Sequence, residues 1–480
     1  MRKRTIQFIT EATGGTLSKG VSSGYVRRVC TDSRAVQPGD LFVALRGDRF
    51  DAHDYINEVC QKGVMAVVVE KGKVPTVDGE FGVIEVEDTR QALGRLAAAH
   101  RSDFDVPAIA VGGSNGKTST KEFIAAQLRE LGAAVWSEAS FNNDIGVPLT
   151  LLKLDDEHQA FVQEVGTNHP GELKPLLEIV RPRIGVVTSI GREHLEHFGD
   201  LDGVIAEEGV VAEMLPADGL LVINGDDSKA GEMIAKSAAK VIRAGFEAGN
   251  DWRISEPVMT FGGMNFSVRG PGVEFEELHI PLLGRHQVIN AVLALAVGTE
   301  LGLSGEQSRC ALANCTPPKG RLQLSEENGI RLIDDSYNAN ADSMTAAIET
   351  LAELPVLGRR IAVLGDMAEL GEHSEAAHRE IGRLVAKREI DMLFTIGAMG
   401  YCYATEAKEM GAKVVCQFDE VAEAVISLQR VLRPGDAVLV KASRSAGLER
   451  VIELLRGKLG DPNPDEDNDE QGEKGKAIAA

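Results

Sequence analysis

At 480 residues and 43% hydrophobic content, the chain has room for about three domains with cores of their own. Its net charge of −22 disfavours nucleic acid and anionic membranes as partners, so an anionic substrate needs local basic pockets. None of the six cysteines forms a C-x-x-C pair, no run approaches ~18 apolar residues, and the basic start Met1-Arg2-Lys3-Arg4 has no apolar leader core behind it; a reducing, cytoplasmic setting is expected, without a zinc ribbon, a membrane span or a signal peptide.

Residues 1–105 read as a small α/β domain. Apolar runs at 41–45, 65–69 and 82–86 predict strands, and the patterns at 52–62 and 89–100 predict helices. Two polar clusters stand between them: Thr31-Asp32-Ser33-Arg34 and Arg46-Gly47-Asp48-Arg49-Phe50-Asp51-Ala52-His53-Asp54. Each suits either a capped turn or a ligand contact.

Residues 106–318 read as a central domain. A buried strand at 106–111 leads into Gly113-Ser114-Asn115-Gly116-Lys117-Thr118, and a helical pattern over 117–131 leads out. A glycine turn between strand and helix aims backbone N–H groups at an anion, while Lys117 adds charge and Thr118 a metal-ligating hydroxyl. That is phosphate-binding chemistry, although Val111 stands where the strict G-x-x-x-x-G-K-[ST] form has its first glycine. Further strands at 159–165, 184–189 and 219–223 alternate with helices, which predicts a parallel sheet with ligands at its C-terminal strand ends. Glu164, His194 and the pair Asn142-Asn143 fall at such ends.

Residues 319–460 read as a third α/β unit, after the hinge-like stretch Thr316-Pro317-Pro318-Lys319-Gly320. Strands are expected at 330–334, 360–364, 392–396 and 437–441, with helices at 343–354 and 374–388 among them. The final segment, 461–480, holds seven acids and two lysines without periodicity and is expected to be a disordered acidic tail.

Together these loops resemble the Mur ligase family, the ATP-dependent amide-bond-forming enzymes of peptidoglycan synthesis, whose phosphate loop is the shorter G-x-x-G-K-[ST]. The match is carried by Phe50-Asp51-Ala52-His53-Asp54, Phe141-Asn142-Asn143-Asp144-Ile145-Gly146-Val147-Pro148-Leu149-Thr150, Gly166-Thr167-Asn168-His169-Pro170-Gly171-Glu172, Asp334-Asp335-Ser336-Tyr337-Asn338-Ala339-Asn340 and Gly365-Asp366-Met367-Ala368-Glu369-Leu370-Gly371. The resemblance implies three α/β domains: a central P-loop mononucleotide-binding parallel sheet, an N-terminal domain for the UDP-sugar peptide and a C-terminal Rossmann-like domain. It implies a monomer using ATP and Mg²⁺, in which the carboxylate of UDP-MurNAc-tripeptide is phosphorylated and the amine of D-Ala-D-Ala then displaces phosphate.

Residue by residue, the resemblance places Gly113, Ser114, Asn115, Gly116, Lys117, Thr118, Ser119, Asn290, Arg321, Asp335, Tyr337 and Asn338 around ATP. Thr118, Glu164 and His194 are implied metal ligands. Ser33, Arg34, His53, Asn142, Asn143, Lys441 and Arg444 are implied substrate contacts. Lys117 and His194 would act in catalysis. The chain departs from the family twice. Where many members carry a carbamylated lysine this chain has Glu208, expected to supply the carboxylate directly, and Ala442 replaces a frequent glycine. Two competing readings are a sister ligase adding the third amino acid and a non-catalytic nucleotide switch. The Asn142-Asn143 and Tyr337-Asn338-Ala339-Asn340 loops argue against the first, and Glu164 with His194 against the second.

Overall fold

The computed structural model describes residues 1–20, 22–47 and 50–459, so the expected acidic tail and the cluster residues Asp48 and Arg49 lie outside the described residues. Three large sheets organise the chain, beside a two-stranded antiparallel pair of Arg4–Thr5 with Tyr25–Val26. The first has five strands: β1 (Thr16–Lys19), β2 (Val29–Cys30), β3 (Leu41–Val43), β4 (Ala66–Glu70) and β5 (Gly82–Val86), in the order β1-β5-β4-β3-β2. Only β1 runs antiparallel to its neighbour. Helix α1 (Thr89–Arg101) follows, started by the Asp88 carboxylate accepting the Gln91 N–H.

The central sheet has ten strands. Seven are parallel: β6 (Ala108–Gly112), β7 (Ala134–Trp136), β8 (Ala160–Glu164), β9 (Ile184–Val187), β10 (Leu220–Asn224), β11 (Lys240–Gly245) and β12 (Trp252–Ile254), ordered β7-β8-β6-β9-β10-β11-β12. Antiparallel strands β13 (Val258–Thr260), β14 (Gly263–Gly270) and β15 (Val273–Ile280) extend it. Strand β6 is buried on both faces, as its unbroken apolar run requires. Ala108 and Ala110 face a core continuous with the first domain, while Ile109 and Val111 face α2 (Lys117–Leu131) and α5 (Arg285–Glu300). Helices α3 (Leu195–Phe198) and α4 (Leu201–Glu208) follow β9, and the Asp200 side chain caps α4 through Gly203 N–H.

The third sheet runs β16-β17-β21-β18-β19-β20: β16 (Gln323–Glu327), β17 (Ile330–Asp335), β18 (Arg360–Gly365), β19 (Met392–Ile396), β20 (Val415–Phe418) and β21 (Ala437–Lys441). All but β16 are parallel. Helix α6 (Ala341–Glu353) starts at a reciprocal Asn340–Ser343 cap, and α7 (Ser374–Lys387) packs over the sheet. The 52–62 segment is a short 3₁₀ turn, Ala52–Tyr55, running into the helix Ile56–Gln61 rather than one helix. Among the described residues no helix is long and apolar enough to cross a membrane.

Candidate active site

A cleft of about 1380 Å³ opens at the C-terminal ends of the central strands, walled on its far side by the third domain. Its floor is the turn between β6 and α2. Gly113 (φ 109°) and Gly116 (φ 89°) adopt backbone conformations that side chains disfavour. A Cβ at Gly113 would sit 2.6 Å from Thr188 Oγ1, and one at Gly116 would sit 2.5 Å from Asn290 Oδ1. Val111 stands earlier, inside the strand, where no such constraint applies.

The first N–H groups of the turn are held by protein. Gly113 N–H donates to Glu208 Oε2 at 2.6 Å, Ser114 N–H to the Ser189 carbonyl at 2.7 Å, and Asn115 N–H to Ser189 Oγ at 3.1 Å. Helix α2 makes its first backbone bond only at Thr120 N–H to Gly116 C=O, 2.9 Å. The N–H groups before it point out of the helix start, beside Lys117, Thr118 and Ser119 on the cleft wall.

Three buried carboxylates surround Lys117. Glu193 Oε2 lies 3.4 Å from Lys117 Nζ, which also donates to the Gly113 and Ser114 carbonyls. Burial works against the ammonium, yet Glu193, Glu208 and Glu164 outweigh it and raise the Lys117 pKa. Glu208 pays the opposite way: burial, with the Glu193 charge, pushes its pKa up to about 7, against the pull of Lys117. Glu164, Glu193 and Glu208 each leave one buried oxygen unpaired: Oε2, Oε1 and Oε1 respectively. Such orphans are costly unless a proton, a water or a cation meets them. Among the described residues no three His, Cys, Asp or Glu side chains form a ready cage. A cation that keeps waters and takes substrate oxygens, as Mg²⁺ does, fits this donor set.

The third domain meets the opposite side of the cleft through several contacts. Asn340 Nδ2 donates to Asn115 Oδ1 at 3.0 Å. The Tyr337 hydroxyl bonds the Ser140 hydroxyl, and Arg321 lies over the Tyr337 ring, 4.3 Å from its centroid, with Arg444 at 5.7 Å. Glu369 bonds His194.

The cleft brings together Gly116, Ser114, Asn115, Lys117, Thr118, Ser119, Asn142, Asn143, Glu164, His194, Asn290, Arg321, Asp335, Tyr337, Asn338, Lys441 and Arg444. Several of them are already engaged. Asn142 Nδ2 donates to Glu164 Oε1 at 2.9 Å, so it orients that carboxylate, and Asn143 Oδ1 accepts from Gly146 N–H at 2.9 Å as a turn cap. The Lys441 ammonium pairs with Asp335 at 2.6 Å and donates to the Asn338 carbonyl at 2.9 Å. Burial lowers the Lys441 pKa and raises that of Asp335. Glu208 lies beneath the loop rather than on the cleft wall.

Three sequence candidates stand apart. Ser33, Arg34 and His53 do not line the cleft, to which the first domain contributes Arg90 of α1. Arg34 is exposed and bonded to Asp32 in its own turn, at 2.8 Å. His53 is buried with both ring nitrogens engaged, Nδ1 by Asp51 and Nε2 by the Glu70 N–H at 3.0 Å. It therefore has no ring nitrogen to offer a ligand and fixes its own loop instead. From sequence, Glu193 and Ser189 are given no role and Asn340 enters only as part of the loop Tyr337-Asn338-Ala339-Asn340. Glu193 sits one residue before His194, and Asn340 carries an N-cap signature ahead of α6; both signals were present in local sequence.

Comparison with known proteins bears on the family and the fold. Three family descriptions match in sequence: Mur ligase family, catalytic domain (residues 25–101), Mur ligase middle domain (111–298) and Mur ligase, glutamate ligase domain (320–444). The chain is 37% identical, over 89% of its length and 93% of the relative, to UDP-N-acetylmuramoyl-tripeptide–D-alanyl-D-alanine ligase of Escherichia coli. The structure is similar to MurF from Acinetobacter baumannii, with a TM-score of 0.86 at 32% identity over 95% of this chain and 99% of that one. It is also similar to MurF ligase from Thermotoga maritima in complex with ADP, with a TM-score of 0.79 at 27% identity over 91% and 98%.

Proposed function

The chain belongs to the Mur ligase family, and on that footing we propose that it is the ATP-dependent amide ligase that joins D-Ala-D-Ala to UDP-MurNAc-tripeptide in peptidoglycan precursor synthesis. The observation that carries this reading is the set of three buried carboxylates, each with an unpaired oxygen, around Lys117 of the phosphate loop.

The chemistry must bring two anions together, a carboxylate and a triphosphate. Lys117 and the N–H groups at the start of α2 offset the charge on the β- and γ-phosphates. A substrate carboxylate oxygen bonds to the γ-phosphorus, the bond to the β–γ bridging oxygen breaks, and ADP leaves. The amine nitrogen then bonds to the acyl carbon, the carbon–oxygen bond to phosphate breaks, and the amine proton is lost. Thr118, Glu164 and His194 would hold Mg²⁺, with Glu193 and Glu208 balancing charge behind them. The bound ion supplies neutralisation of phosphate and acyl oxygens. Asn142 keeps Glu164 in place, and Glu208 fixes Gly113 and with it the floor of the loop. In this reading Asn290 and the Arg321–Tyr337 pair border the nucleotide, and Arg444 borders the substrate.

The proposed location is the cytoplasm, where ATP and the nucleotide precursor meet. The test is phosphate release from ATP by the purified protein. It should require both UDP-MurNAc-tripeptide and D-Ala-D-Ala, and Lys117→Ala should lower kcat by ~10²–10³-fold. Release with the dipeptide precursor and a single amino acid would instead identify the sister ligase, and ATP turnover indifferent to both substrates would refute a ligase.

A further inference from the structure

His194 and Glu369 face each other from different domains, and both hold left-handed backbone, φ 48° and φ 59°. Neither is glycine, so each conformation is disfavoured for its side chain and persists because its surroundings fix it. Those surroundings are specific. Glu196 N–H donates to the Glu369 carbonyl at 3.1 Å, and a Cβ on Gly371 would lie 3.4 Å from Glu196 Cα.

Behind Glu369 the loop is anchored to the third domain. His378 Nε2 accepts the Met367 N–H at 3.0 Å, while its Nδ1 donates to the Ser374 carbonyl at 2.7 Å. The Asp366 carboxylate accepts the Ala398 and Met399 N–H groups, at 3.1 and 3.0 Å, and the Asp366 carbonyl accepts the Ser443 hydroxyl at 2.7 Å. The loop is thus rigidly built to present one carboxylate, and that carboxylate bonds Nδ1 of His194. An ionised carboxylate only accepts, so Nδ1 carries the ring proton. Nε2 makes no hydrogen bond among the described residues and belongs to a side chain on the cleft wall.

We propose that Glu369 is a positioning residue for the ligation: docking of the third domain brings its carboxylate to His194 Nδ1, locks the ring and its tautomer, and presents Nε2 to a metal–nucleotide complex in the cleft. The inference rests on the ligase reading of that cleft. A carboxylate behind a metal-binding imidazole raises its basicity and fixes its aim, and its loss typically costs ~10–100-fold in metal affinity. Here that carboxylate comes from a separate domain, so the ligand is complete only when the domains meet.

The test compares wild type with Glu369→Ala and Glu369→Asp, with the melting temperature as a check on folding. Mn²⁺ affinity of the ADP-bound protein is read by electron paramagnetic resonance. The His194 tautomer is read from ring ¹⁵N shifts of histidine-labelled protein, assigned by difference from His194→Gln. Glu369→Ala should weaken Mn²⁺ binding by ~10–100-fold and turn a single Nδ1–H tautomer into a mixture, and Glu369→Asp should recover part of both. Mn²⁺ affinity within about twofold of wild type, or an unchanged tautomer, overturns the proposal. A wild type that ligates nothing while Glu369→Ala still loosens Mn²⁺ overturns the ligase reading and leaves the positioning role standing.

Discussion

Glu208 stands where its charge is least comfortable. It is 1% exposed, one oxygen holds the Gly113 N–H, and the other has no partner. Its folded pKa of about 7 lies above the ordinary 4.5, so the folded protein holds the Glu208 proton more tightly than the unfolded chain does. The sign follows: this contribution to stability is present in full below about pH 4.5 and is lost as pH rises through about 7. Glu208→Gln keeps an acceptor for Gly113 and has no proton to lose. Relative to wild type, the variant should gain stability across that window, most at its upper end, read as melting temperature against pH in ligand-free protein. Parallel curves for the two proteins would show that the Glu208 charge is not strained. In the ligation assay the same variant should need more Mg²⁺, because the charge lost is one of those that balance the site. Strain without ligand and function with ligand are then two views of one residue.

At the scale of elements, the turn from β6 to α2 decides where phosphate can sit, and α5 decides how tight the turn must be. Gly116 satisfies both demands, with a positive φ and no side chain against Asn290. Gly116→Ala should cost about 1–2 kcal/mol in backbone strain alone. The larger effect is displacement of Asn290, so ADP affinity measured by calorimetry should fall further than the melting temperature suggests; unchanged affinity would mean that α5 gives way. This element was legible in sequence because its chemistry and its fold coincide in a few consecutive residues, and the strand ends carrying Glu164 and His194 were legible for the same reason. The strands β13–β15 were not anticipated, although Met264, Phe266 and Val268 alternate with more exposed neighbours as a half-buried strand should. Partnership is what local sequence conceals. Lys441 and His53 have the residue types of ligand contacts, yet the fold gives Lys441 to Asp335 and His53 to Asp51 and Glu70. Nothing near Glu369 in sequence points to His194, because their meeting depends on how two domains dock.

For the whole molecule, docking is the quantity to weigh, and Arg192 is its main ionic contact. Its backbone N–H and Nε donate to Asp342 at 2.7 and 3.0 Å, and its Nη1 and Nη2 donate to Glu380 at 2.7 and 3.2 Å. Asp342 begins α6 and Glu380 lies on α7, so one guanidinium ties the His194 loop to two helices of the third domain. The three side chains are each more than a third exposed, so solvent screens the pairs. A bidentate network of this kind is worth about 1–2 kcal/mol. That is small against the stability of a domain with its own core, but it moves a docking equilibrium by roughly 5–30-fold. Arg192→Ala should therefore leave the melting temperature nearly unchanged and enlarge the radius of gyration in small-angle scattering without ligand. It should lower kcat/KM by up to the same factor, with saturating ATP analogue restoring the compact form. High salt should reproduce the expansion in wild type and add little in the variant, since the screened contacts are already gone. A variant as compact as wild type at low salt would mean that Asn115–Asn340 and Ser140–Tyr337 hold the domains without Arg192, and that Glu369 meets His194 regardless.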